Sequence, residues 1–164
     1  LVIAYGDIIY ERRNLENLLS SNGDIVLMVD DSWLDLWSIR QSNPLNDAET
    51  LKFNPDSSIY ELGQKPNSLT EIESQYTGLF KINGKCKKEI IQFYNNLNRE
   101  DLYNGKPFSN IYMTDFLQLL INNGWRVSAS RVKNGWLEID TIKDLHLYEN
   151  MYKSGTLHKL WKRE

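Results

Sequence analysis

Cysteine is nearly absent: the 164 residues hold only Cys86, so no internal disulfide can form. A lone thiol fits a reducing compartment, and its apolar helical setting marks it as a half-buried helix residue. No stretch reaches the roughly 20 apolar residues that a membrane-spanning helix needs, and no secretory signal is read in the sequence. Charge of one sign is also lacking. With 19 Lys and Arg against 22 Asp and Glu, the net charge is -3 and the pI is about 5.5, so there is no basic footprint for nucleic acid. The glycine-rich fingerprints of P-loop and dinucleotide sites are missing, as is the G-x-S-x-G elbow of serine hydrolases. His146 and His158 have no ligand spacing with anything nearby and read as structural or surface residues. These absences lead to the expectation of a cytoplasmic protein without nucleic-acid or membrane partners.

What is present fits one globular domain of ordinary size, with 41% hydrophobic and 25% charged residues. Leu1 to Tyr5 and Ile25 to Val29 are continuous apolar runs, as expected of strands covered on both faces. Between them, Leu15, Leu18 and Leu19 mark a helix that Asn22-Gly23 stops. This strand–helix–strand unit predicts parallel strands with a right-handed crossover. Ser32 to Arg40 reads as a short helical or irregular excursion and 41–48 as a loop. Thr50 to Phe53 and Ser58 to Leu62 read as strands around Asn54-Pro55-Asp56, and Gln75 to Ile82 as another strand. An amphipathic helix is expected over 85–97, a polar loop over 98–110 and an apolar helix from Thr114 to Asn122. Trp125 to Val132 and Trp136 to Ile139 predict a hairpin turning at Asn134-Gly135. Thr141 and Asp144 form a capping box for the next helix, and Leu157 to Glu164 reads as a short final helix. The chain opens on Leu1 inside a strand-like run, not on methionine, which is expected of a fragment without its amino-terminal part.

Two aspartates carry most of the chemical information. Asp7 follows the first strand and Asp140 ends the segment Gly135 to Asp140, each at a strand's carboxyl end. In open α/β sheets ligands bind at that edge, and two converging carboxylates suit Mg²⁺ against a nucleotide phosphate. Strand alternation places Trp136, Glu138 and Asp140 on one face, which is too acidic for a core face. Lys65, just past a strand, is a candidate phosphate contact. Tyr112 and Asp115, at a helix start, are either capping residues or the lining of a substrate pocket. Gly78, inside a strand, is expected to allow close backbone approach to a ligand.

The ordered set Ile3-Ala4-Tyr5-Gly6-Asp7-Ile8, Asp24 to Asp31, Glu61 to Pro66, Gln75 to Phe80, Met113 to Leu117 and Gly135 to Thr141 spans nearly the whole chain. In that order and spacing it resembles the carboxyl-terminal two-thirds of nucleotidyltransferases of the sugar-phosphate and phosphocholine type. The resemblance implies an α/β, Rossmann-like mixed sheet, mostly parallel, flanked by helices and carrying a small antiparallel hairpin. It implies that Asp7 and Asp140 hold Mg²⁺ and that Lys65 touches the acceptor phosphate. Trp136, Glu138, Tyr112 and Asp115 are expected to form an aromatic and acidic pocket suited to a cationic head group, with Gly78 as a further substrate contact. The protein's partners would be a nucleoside triphosphate, expected to be CTP, and a small phosphorylated acceptor such as phosphocholine or another phospho-amine. A sugar-1-phosphate nucleotidyltransferase and a non-catalytic domain keeping the fold are the alternatives. The family's glycine-rich nucleotide loop belongs before the strand that opens here, so these 164 residues alone are expected not to turn over.

Overall fold

A computed structural model describes residues 1–162; Arg163 and Glu164, the end of the expected final helix, lie outside the described residues. The chain runs β1 (Val2–Ala4), β2 (Ile8–Tyr10), α1 (Arg12–Ser20), β3 (Ile25–Asp30) and α2 (Trp33–Arg40). It continues through β4 (Leu51–Phe53), β5 (Ser58–Leu62), β6 (Gln75–Ile82) and α3 (Lys87–Asn96). Then come the minute hairpin β7 (Leu102–Tyr103) and β8 (Lys106–Pro107), α4 (Met113–Asn122), β9 (Val127–Val132), β10 (Trp136–Glu138) and α5 (Ile142–Lys153). A 3₁₀ turn at Leu157–Lys159 stands where the tail helix was expected.

The fold is α/β, but its sheet is not mostly parallel. Six strands lie in the order β1-β6-β3-β9-β5-β4. Only β3 and β9 are parallel neighbours; the other pairs are antiparallel. The first and third strands do run in the same sense, as the strand–helix–strand pattern requires, but β6 is inserted between them and is antiparallel to both. Every residue of β3 is buried because the sheet has a core on each side. Val26 and Met28 face one cluster, built with Leu18 of α1, Trp33, Leu36 and Trp37 of α2, and Tyr148 of α5. Ile25, Leu27 and Val29 face the other, built with Ile90 of α3 and Leu117 and Leu120 of α4. A three-layer sandwich turns an alternating burial pattern into a continuous apolar run.

The expected hairpin across Asn134-Gly135 does not form. β9 enters the main sheet between β3 and β5, whereas β10 pairs antiparallel with β2 in a separate two-stranded ribbon. The local turn is still there: Asn134 and Gly135 both have positive φ, 55° and 83°. What redirects the chain is Asp30, at the end of β3. Its buried carboxylate accepts the Asn134 amide at 2.9 Å and the Trp136 indole N–H at 2.8 Å. Gly135 then fits where no side chain would, since a Cβ there would come within 2.7 Å of the Asn14 amide nitrogen. The long-range partners override the hairpin register that the turn alone would set.

Candidate active site

The ribbon carries the site. Pairing Glu138 with Ile8 brings the β1–β2 corner against the end of β10, and the Ile139 amide donates to the Asp7 carbonyl at 2.9 Å. Asp7 and Asp140, 133 residues apart in sequence (140 minus 7), thus become neighbours through the backbone. Both are exposed, and Asp140 lines a cleft of about 590 Å³. Carboxylates from Asp47, Glu49, Glu138 and Asp140 and rings from Tyr5, Trp37, Tyr76 and Tyr112 form much of its wall. One oxygen each of Asp47, Glu138 and Asp140 lies within 4.8 Å of the others. The Asp7 carboxylate is not in that group. Carboxylate oxygens are the hard donors that Mg²⁺ accepts, so the donor chemistry here fits the ion that the resemblance implies.

The acidic face of β10 is covered, not solvated. Helix α2 lies over it, and the Arg40 side chain is fully buried there. Its guanidinium donates to Glu138 at 2.7 Å, to Asp144 at 3.2 Å and to Asp140. It also sits 5.6 Å from the centre of the Trp37 ring. Burial pushes the Glu138 carboxyl up to about 7, against the pull of Arg40. Asp144 at once accepts Arg40 and closes the capping box with Thr141, so the capping predicted from sequence also fixes the Asp140 corner.

Other predicted residues fall elsewhere. Trp136 is not a cleft residue: it is 1% exposed, packs 5.9 Å from Trp37, and spends its N–H on Asp30. Asp115 is a capping residue. Its buried carboxylate takes the Tyr112 amide at 3.0 Å, Asn104 at 2.9 Å and Lys106 at 3.0 Å. Tyr112 does line the cleft, with the Lys106 ammonium 4.2 Å from its ring centre. Gly78 lines it too, but the group in close approach is Tyr5: a Cβ on Gly78, at φ +80°, would lie 2.9 Å from that ring. Lys65 is exposed and donates to the carbonyls of Leu45 and Asn46, one turn from Asp47 but off the cleft wall.

Arg40, Asp47 and Glu49 were not singled out from sequence. Asp47 belongs to a stretch that reads as a polar loop, and Arg40 meets its partners 98 to 104 residues away. Sequence periodicity carries no signal for either. The Asp30–Trp136 bond was equally hidden, since its partners lie 106 residues apart.

No family model matches the chain. By sequence it is 44% identical over 147 residues, 90% of its length, to a CTP:phosphoglutamine cytidylyltransferase of Campylobacter jejuni. The chain spans 58% of that relative's length. By fold it matches an inositol-1-phosphate CTP transferase from T. maritima with a TM-score of 0.65 at 19% identity, covering 99% of this chain and 57% of that one. It also matches a Bacillus anthracis protein assigned as a glucose-1-phosphate thymidylyltransferase, in complex with sucrose. There the TM-score is 0.61 at 12% identity, covering 99% of this chain and 56% of that one. The chain therefore shares extended sequence with a cytidylyltransferase and its fold with nucleotidyltransferases acting on phosphorylated small molecules.

Proposed function

We propose that the whole protein is a Mg²⁺-dependent cytidylyltransferase, and that these residues are the metal- and acceptor-binding portion of its single catalytic domain. It would transfer the cytidylyl group of CTP to a small phosphorylated acceptor, such as phosphocholine, phosphoglutamine or another phospho-amine, and release pyrophosphate. The observation that carries this reading is the joining of the Asp7 corner to the Asp140 strand end at the mouth of a cleft. The 44% identical relative favours CTP as donor. A cytoplasmic setting, where nucleoside triphosphates are at hand, goes with this chemistry.

In the reaction, an oxygen of the acceptor phosphate bonds to the α-phosphorus as the bond to the pyrophosphate oxygen breaks. Little covalent help is needed; positioning and neutralisation of charge dominate. Asp7 and Asp140 would hold Mg²⁺, whose charge offsets that of the triphosphate. Lys65 would leave the carbonyls of Leu45 and Asn46 and meet the acceptor phosphate as a point charge. Glu138 stays on Arg40 and keeps the strand end rigid. Tyr112 and Gly78 form wall, while Asp115 and Trp136 act indirectly by fixing the start of α4 and the root of β10. Of the four cleft carboxylates, Arg40 pairs with only Glu138 and Asp140, which favours an acceptor carrying a cationic amine beside its phosphate over a hexose 1-phosphate, which has none.

The test is pyrophosphate release by the full-length protein with Mg²⁺, crossing CTP, UTP and dTTP with phosphocholine, other phospho-amines and hexose 1-phosphates. The expected result is a signal with CTP and a phospho-amine, abolished in Asp7→Asn and Asp140→Asn. A signal that survives both substitutions would remove the proposed metal site, and a hexose 1-phosphate preference would replace the acceptor.

A further inference from the structure

Glu49 stands apart from the other carboxylates of the cleft. Glu138 and Asp140 share Arg40, and Asp47 lies beside them. No Lys, Arg or His nitrogen of the described residues lies within 4 Å of Glu49. Its position is nevertheless built. The side-chain amide of Gln75, a residue only 4% exposed, donates to the Glu49 carbonyl and accepts its amide at 3.4 Å. Ala48 and Thr50 on either side are buried. The carboxyl is raised, first by its own burial and then by the Asp115 charge, and Glu49, Tyr5 and Tyr76 line the same cleft.

A second observation points to a ligand in the same cavity. The indole N–H of Trp37, on its wall, is buried and makes no hydrogen bond among the described residues, and the buried Tyr76 hydroxyl has only the Tyr5 hydroxyl beside it. Trp37 is only 4% exposed, so bulk water does not readily stand in for a partner. A buried donor left unpaired carries a desolvation cost that a bound molecule would relieve, and the nearby Lys106 ammonium, which favours the Glu49 carboxylate, is already bonded to Asp115.

We propose that Glu49 is the seat of a primary ammonium group on the acceptor, so that the acceptor is a phosphorylated primary amine or amino acid. This rests on the reading of the cleft as the acceptor site. A primary ammonium has three N–H donors, suited to a carboxylate with the Tyr76 hydroxyl near it. A quaternary ammonium has none and would leave both acceptors unused. The Trp37 N–H asks for an oxygen acceptor on the same ligand, which an amino-acid carboxylate supplies.

The test uses the full-length protein and four probes: phosphoethanolamine, phosphoserine, phosphocholine and 2-hydroxyethyl phosphate. Equilibrium binding is measured by calorimetry without nucleotide, and pyrophosphate release with CTP and Mg²⁺. Glu49→Gln keeps the shape and removes the charge. In the wild type, a primary-amine probe is expected to bind about tenfold or more tighter than 2-hydroxyethyl phosphate, as a charge-assisted bond allows. Glu49→Gln should abolish that preference, raising the acceptor KM while leaving the KM for CTP unchanged. Equal weakening of all four probes, an unchanged preference, or no binding of either primary amine would overturn the proposal, and so would tighter binding of phosphocholine. Charge-dependent binding at Glu49 without pyrophosphate release would instead remove the enzymatic reading and leave the ammonium seat standing.

Discussion

Arg40 and Asp140 touch each other, yet opposite outcomes are expected when each is replaced. The Arg40 side chain is fully buried and is the common partner of Glu138, Asp140 and Asp144. Arg40→Met would leave the Glu138 and Asp144 carboxylates without their cation. Breaking a buried pair from one side costs about 3–5 kcal/mol. An unfolding free energy from chemical denaturation lowered by that amount is the expected result, and an unchanged value would show that the cluster is solvated. Asp140, by contrast, is 39% exposed at its side chain, and Arg40 keeps two partners without it. Asp140→Asn is expected to leave the unfolding free energy within about 1 kcal/mol of wild type while abolishing turnover of the full-length protein. A large loss of stability would make Asp140 a structural residue. Asp140 was legible from its place at a strand end, because such positions bind ligands in α/β sheets generally. Arg40 was not, because nothing near it in sequence announces three partners about 100 residues on.

At the scale of elements, the turns were legible and the pairings were not. The turn between β4 and β5 illustrates the first. Asn54-Pro55-Asp56 reads as a turn from composition, and the Asp56 carboxylate does close it, accepting the Ser58 amide at 3.0 Å, the Ser58 hydroxyl at 2.6 Å and Arg126. Those bonds, with the Ser58 hydroxyl foremost, hold the Asp56 carboxyl down at about 2. A carboxyl lowered on folding contributes stability that is present above its unfolded value and is lost as pH falls through the folded one. The melting-temperature gap between wild type and Asp56→Asn should therefore narrow as pH drops from about 5 to about 3. The effect is modest, because the group is exposed, and a gap independent of pH would mean that charge plays no part in the turn. The Asn134-Gly135 corner illustrates the second. Its positive-φ geometry is what the dipeptide predicts, but a hairpin also needs its two arms to prefer each other. Here β9 finds β3 and β10 finds β2, because the Asp30 carboxylate captures Asn134 and Trp136 together.

For the whole molecule, the three-layer α/β arrangement was visible in the unbroken apolar run of β3. The similar run from Leu1 to Tyr5, expected to be covered on both faces, instead lies at a sheet edge with Val2 and Ala4 exposed. The insertion of β6 between β1 and β3 was not visible, since strand order is decided by contacts that no local pattern encodes. That topology has a consequence for the metal. The main sheet has β1 at one edge, and the β2–β10 ribbon beside it brings the Asp7 corner to the end of β10. The cleft carboxylates come from the Asp47–Glu49 stretch and the end of β10. Two donor sets are then candidates beside Asp140: Asp47 and Glu138, whose oxygens lie within 4.8 Å of one of its own, and Asp7, joined to the end of β10 through the backbone. Arg40 holds both Glu138 and Asp140, so the Asp47–Glu138–Asp140 set asks two ligands to share their charge with that guanidinium, whereas the Asp7–Asp140 pair asks only one. Asp7 is free of such a neighbour among the described residues, which favours it as the second ligand. Mg²⁺-dependent activity of the full-length protein, stripped with a chelator and restored by titration, is expected to need a much higher metal concentration in Asp7→Asn and Asp140→Asn. Asp47→Asn should titrate like the wild type. The reverse pattern, with Asp47→Asn impaired and Asp7→Asn normal, would move the ion into the Asp47–Glu138–Asp140 group and require Arg40 to withdraw from Glu138 when it binds.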